Sequence, residues 1–66
     1  MTGKIARLIP GRGFGFLVDT STGIDYFFHA YAVENRPFDS LMVGEKVEFE
    51  TEESPKGPRA CSVVVG

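Results

Sequence analysis

The segment Arg12-Gly13-Phe14-Gly15-Phe16-Leu17 and its echo Tyr26-Phe27-Phe28-His29 constrain what this chain can fold into more than any other feature. Read as β-strands, each sends successive side chains to opposite faces, so Phe14 and Phe16 share one face and Phe27 and His29 share one face. Gly15, Leu17, Tyr26 and Phe28 take the other parity. Only one side of such a pair can be the core. Leu17, Tyr26 and Phe28 suit it, which leaves Phe14, Phe16, Phe27 and His29 as a ring-rich patch facing water, and such a patch marks an interaction surface. Exchanging the faces would expose Leu17, Tyr26 and Phe28 instead and would solve nothing.

The rest of the chain supplies strands around this hairpin. Residues 3–10 read as a first strand in which Ile5 falls on the parity of Gly3 and Arg7, while Lys4, Ala6 and Leu8 take the other. Pro10-Gly11 ends it, because proline lacks the amide donor and glycine tolerates turn geometry. Arg12 to Asp19 is the second strand, Thr20-Ser21-Thr22-Gly23 a polar turn, and Ile24 to Ala30 the third strand. Residues 31–42 break the alternation, and we read a short helical turn near Tyr31 to Val33 followed by a long loop of the kind that is often functional. From Glu45 the period of two returns, with Val47, Phe49 and Thr51 on one face and Lys46, Glu48, Glu50 and Glu52 on the other. Ser54-Pro55-Lys56-Gly57-Pro58 is a turn, and Arg59 to Val65 a last strand with Cys61, Val63 and Val65 on the inner parity. Five short strands without a long helix predict an all-β domain, and closure without open edges favours a five-stranded antiparallel Greek-key barrel spanning residues 1–66.

Composition narrows the function. A chain of 66 residues buries only about 60% of its unfolded surface, so it has few large apolar side chains to spare for the outside. The net charge of −2 argues against holding nucleic acid by bulk electrostatics, so any such affinity must be local. One cysteine and one histidine allow neither an internal disulfide nor a four-ligand zinc site. No run approaches the roughly 20 apolar residues that span a bilayer, and no signal segment stands at the start, so we expect a cytoplasmic, metal-free monomer without a cofactor.

Flat rings on a sheet bind unpaired bases, since every base has a π-face, at about 1–3 kcal/mol per stacked base. Phe14, Phe16, Phe27 and His29 are therefore candidate stacking platforms, and Gly13 and Gly15 would let the strand bend and a base approach closely. Lys4, Arg7, Arg12, Lys56 and Arg59 are candidate phosphate contacts. Asp25 offers an acceptor for a base edge, although an acid at a strand start also serves as a turn residue. Phe38 is either a further platform or an anchor that pins the long loop to the barrel. Cys61 reads as a small buried hydrophobe. The Gly11-x-Gly13-x-Gly15 run lacks the Lys-Ser/Thr pair of a phosphate-cradling loop, and no partner for a catalytic histidine is evident, so we expect no enzyme. The acidic row from Glu48 to Glu53 reads as a solvated strand face that discourages edge pairing.

These features together resemble a bacterial cold-shock domain. Gly3-Lys4, Arg12-Gly13-Phe14-Gly15-Phe16-Leu17, Asp25-Tyr26-Phe27-Phe28-His29, Ala32-Val33, Phe38, Leu41, Gly44, Val47-Glu48-Phe49-Glu50 and Lys56-Gly57-Pro58 fall in that family's order over essentially the whole chain. The resemblance implies an OB-fold barrel, binding of single-stranded RNA and DNA, and a role in melting RNA secondary structure that links it to translation or transcription. Departures stand out against it. Members of the family usually have Lys-Trp-Phe-Asn where this chain has Ala6-Arg7-Leu8-Ile9, and a phenylalanine and a serine after the histidine where it has Ala30 and Tyr31. Losing two true platforms costs about 2–6 kcal/mol of gross affinity, offset if Arg7 stacks on a base or Tyr31 supplies a shifted ring. The sequence thus predicts a weaker binder than its relatives, or alternatively a barrel that has become a protein-interaction module.

Overall fold

The computed structural model describes residues 1–66 and contains five strands: β1 (Thr2–Ile9), β2 (Phe14–Asp19), β3 (Asp25–His29), β4 (Lys46–Glu52) and β5 (Arg59–Val65). They close into a barrel in the order β1-β2-β3-β5-β4. Four seams are antiparallel, as the sequence pattern predicts, but β3 and β5 run parallel, pairing Phe27 with Arg59 and Phe28 with Ala60. The exception is geometric. Strand direction cannot alternate all the way round a ring of five, so closure leaves one seam between strands of like direction.

The inward parity of the central hairpin is as expected. Leu17 and Phe28 are fully buried, joined by Ile5, Val47, Phe49, Val63 and Val65, while Tyr26 packs partly buried against this cluster with its ring centroid 5.5 Å from that of Phe49. The β2–β3 turn is set by Asp19, whose buried carboxylate accepts the Ser21 backbone N–H at 2.7 Å, and by Gly23, whose φ of +76° is the left-handed conformation glycine favours.

Two β-bulges break strict alternation elsewhere. In β1, Ile5 pairs with Leu17 and Arg7 with Phe16, so Ala6 has no partner on β2. In β5, Ser62 pairs with Glu50 and Ala60 with Thr51, so Cys61 is the extra residue. Each bulge shifts the parity by one. Arg7 thereby moves off the inner parity of Ile5, and Leu8 turns in against the core. The expectation that Cys61 is buried is corrected for the same reason: Ala60 takes the inner position and Cys61 is exposed.

The role expected of Gly15 is also corrected. It faces inward, where an added Cβ would lie 2.6 Å from the Arg7 carbonyl oxygen and 3.0 Å from Phe28 Cζ. It serves the close passage of β1 over β2, not the approach of a ligand. Gly13, with φ +71°, does provide the bend before β2.

The long connection from β3 to β4 carries two single 3-10 turns, Ala30–Ala32 and Phe38–Ser40. It is tied down throughout. Val33 bridges to Val63, and the Asn35 side-chain amide pairs with both backbone groups of Val65 at 2.7 and 2.9 Å, substituting for a strand neighbour. Arg36 reaches Glu45 at 2.6 Å and donates to the Ser40 carbonyl at 2.8 Å, cinching residues 36–45. The Arg36 hydrogen bond, with a second from the Met42 backbone N–H, holds the Glu45 carboxyl below its ordinary range against the opposing effect of burial.

Candidate nucleic-acid interface

The ladder pairs align outward side chains of four strands into rows. One reads Arg7–Phe16–Phe27–Arg59, the next Ile9–Phe14–His29, and a third Lys4–Val18–Asp25. The three phenylalanines form one cluster: the ring of Phe27 lies 5.3 Å from Phe14 and 5.9 Å from Phe16, and Phe14 meets Phe16 edge-on at 6.1 Å. Such tilted and edge-to-face contacts hold the rings in fixed orientations, each worth about 0.5–1.5 kcal/mol. All three are half-buried and lie outside the core. Full burial of a phenylalanine contributes about 1.5–3 kcal/mol, so a barrel this small forgoes considerable stability by keeping three of them outside.

The β4–β5 loop closes the cluster into a groove. Ser54 and Gly57 exchange backbone hydrogen bonds at 2.9 and 3.1 Å, and Gly57 takes φ +110°, which folds Pro55, Lys56 and Pro58 toward the rings. The resulting cavity of about 650 Å³ has Phe14, Phe16, Phe27 and His29 on one wall and Ser54 to Arg59 on the other. His29 caps the following 3-10 turn, its Nδ1 accepting the Tyr31 backbone N–H at 3.3 Å. The Tyr31 ring stacks on the imidazole, centroids 4.3 Å apart and planes 24° from parallel, while remaining 89% exposed. A second cavity of about 360 Å³ lies beyond these two rings, lined also by Glu52, Arg59 and Cys61.

Of the seven Lys and Arg residues, only Arg36 and Arg59 are in ion pairs. Lys4, Arg7, Arg12 and Lys56 are exposed and unpaired; Arg7 ends the Phe16–Phe27 row, Lys56 lines the groove, Lys4 lies one row away, and Arg12 sits in the β1–β2 turn. Asp25 is exposed on the same outward parity as Phe27 and His29. Two expected site residues have protein partners of their own. Phe38 packs against the core with its ring 6.1 Å from that of Phe28, which matches the anchor of the two roles expected for it. Arg59 is committed to Glu52, with Nε and Nη2 both donating to Oε2 at 3.0 and 2.7 Å.

The sequence reading missed Ile9, half-buried beside Phe14, and the flanking Pro55 and Pro58. Ile9 was hidden by the Ala6 bulge. The prolines carry a turn signal, but only the parallel β3–β5 seam brings that turn over the rings.

A family model for the cold-shock DNA-binding domain matches residues 1–65. The chain belongs to the cold-shock domain family. The cold shock-like protein CspJ of Salmonella typhimurium is 40% identical over 68 residues, covering 97% of each chain. The cold shock-like protein CspA of Shewanella violacea is 40% identical, covering 96% of this chain and 90% of its own, and the cold shock protein CspV of Vibrio cholerae is 38% identical, covering 97% and 91%. The closed five-stranded barrel is the fold this family implies, and the family is one of nucleic-acid-binding, non-enzymatic proteins associated with stress response. Where cold-shock domains usually carry rings in the first strand, this one presents Arg7 outward and Leu8 inward. Where they often carry a phenylalanine after the histidine, Ala30 stands here, and the neighbouring Tyr31 supplies the ring stacked on His29. No helix is long and apolar enough to cross a membrane.

Proposed function

We propose that this cold-shock domain binds single-stranded RNA or DNA along the outward rows of β1, β2 and β3, and acts as an RNA chaperone that keeps transcripts unpaired in translation or transcription. The observation that carries the reading is the cluster of Phe14, Phe16 and Phe27, fixed ring against ring on the outside of the barrel and opening into a groove of about 650 Å³. Phe14, Phe16, Phe27, His29 and Tyr31 stack bases. Lys4, Arg7, Arg12 and Lys56 meet phosphates, and Asp25 accepts from a base edge. Unpaired bases alone expose the faces this surface grips, so binding opposes duplex formation without any covalent step.

Five of the seven Lys and Arg side chains are unpaired, and the four of them named above, with the net charge, set the character of binding. At about 0.7 per phosphate contact on a single strand, four contacts give a log–log salt slope of magnitude below about 3. With no first-strand tryptophan, affinity lies in the micromolar range, weaker than in members with a full set of rings. Titration with oligo-dT or oligo-U at several salt concentrations, beside duplex controls, tests this. A steep slope, or equal affinity for duplex, contradicts a stacking-led mechanism. NMR shifts in residues 12–29 caused by a co-purifying protein and not by nucleic acid would assign the surface to a protein partner instead.

A further inference from the structure

We infer that Arg59 is a stacking platform whose plane is fixed by Glu52, and that it joins the two cavities into one track one platform longer than the phenylalanine cluster. The inference rests on the nucleic-acid reading above and extends it. Arg59 stands opposite Phe27 in the parallel seam, at the end of the row that begins with Arg7. It lines both the 650 Å³ and the 360 Å³ cavities, a property it shares with His29 alone. The bases of a strand leaving Phe27 therefore meet Arg59 and His29 before they reach Tyr31.

The hydrogen bonding decides what Arg59 offers there. Nε and Nη2 both donate to one carboxylate oxygen, Glu52 Oε2. Bonds of this kind lie in the guanidinium plane, so they fix its orientation and leave its faces without hydrogen-bond partners. A planar delocalised cation held in that way is a surface on which a base stacks. Phosphate recognition is the poorer use of this residue. Its charge is already matched by Glu52, with Glu53 following in the chain, so a phosphate would have to displace one carboxylate or lie close to two. Both side chains of the pair are roughly half exposed, at 49% and 45%, so the guanidinium is held and still accessible. Glu52 is a positioning residue in this account. Arg59 touches the ligand.

Lysine separates the two uses, because it keeps the charge and lacks the plane. Fluorescence anisotropy with labelled oligo-dT of four to nine nucleotides, across a range of NaCl concentrations, is measured for wild type, Arg59→Lys, Arg59→Ala and Glu52→Gln, with melting curves confirming that each is folded. Expected are a loss of about fivefold or more for Arg59→Ala, the low end for one stacked base, a similar loss for Arg59→Lys, and an unchanged salt slope in both. The length at which affinity stops rising also shortens by about one nucleotide in both. Glu52→Gln loses about twofold at high salt, where the freed charge is screened. Wild-type affinity and plateau length in Arg59→Lys would overturn the inference, as would binding tighter than wild type at high salt in Glu52→Gln, which would make Glu52 a competitor for a phosphate-binding arginine. Failure of the wild-type protein to bind any of the oligonucleotides would overturn the nucleic-acid reading itself, and this extension with it.

Discussion

The β2–β3 hairpin and the two strands that flank it, β1 and β5, solve the same problem in different ways. In the hairpin every residue obeys the period of two: Gly15, Leu17 and Phe28 point in, and Phe14, Phe16, Phe27 and His29 point out. In β1 and β5 a single extra residue, Ala6 or Cys61, reverses the parity part-way along. Both reversals have the same result, placing an arginine on the outward row at either end of Phe16 and Phe27. A regular strand pair can build the ring cluster. With Ile5 and Arg7 two positions apart, and Arg59 and Val63 four, regular strands of this sequence would put each arginine on the core parity, and the bulges separate them.

The largest test of this contrast removes a bulge. Deleting Ala6 removes the extra residue while leaving Ile5 opposite Leu17 and Arg7 opposite Phe16, so Arg7 still points outward and only the bend and added twist of the bulge are lost. We expect a marked fall in melting temperature, read by circular dichroism, because that bend and twist help β1 close the barrel between β2 and β4; a deletion variant melting like wild type would show that the bulge is dispensable. Gly15→Ala tests the regular side. Its Cβ meets the Arg7 carbonyl and Phe28, and forcing it in costs about 1–3 kcal/mol by overpacking, measured by urea unfolding.

The Cys61 bulge is read most simply by its thiol. Cys61→Ser is expected to change stability by less than about 0.5 kcal/mol, and the native protein should react stoichiometrically with a thiol reagent without denaturant. Protection of the thiol would return Cys61 to the core. The smallest effect concerns the loop outside both regions. Glu45 has a folded-state pKa below its unfolded value, so its contribution is fully present above the ordinary carboxylate pKa and is lost as pH falls through the folded one. Glu45→Gln should therefore flatten the stability profile below about pH 4 and leave its neutral-pH shape unchanged.

The same contrast explains how far the sequence can be read. The five strands, the barrel and the outward rings follow from local alternation, which is a property of each strand alone. A helical turn near Tyr31 to Val33 follows from the break in that alternation after Ala30, and it lies one residue earlier, at Ala30–Ala32. Bulges are not visible in this way, since Ala6 and Cys61 are ordinary strand residues and their extra count exists only relative to a partner strand. The exposure of Cys61, the side on which Arg7 lies, and the inclusion of Ile9 were hidden for this reason. The parallel seam lay out of reach for a related one: pairing Arg59 with Phe27 joins positions separated by the whole β3–β4 connection, and only closure brings them together. Phe38 shows the limit for single residues, because a phenylalanine in a loop fits a platform and an anchor equally well until its neighbour Phe28 is known.

The claim at the centre of this account is that the phenylalanine cluster grips unpaired bases. It is tested most directly by titrating labelled oligo-dT into wild type and a Phe14→Ala/Phe27→Ala double variant of matched fold. Removing two platforms at about 1–3 kcal/mol each should weaken binding by about 30-fold or more, with the salt slope unchanged. A double variant that folds normally and binds as tightly as wild type would contradict it.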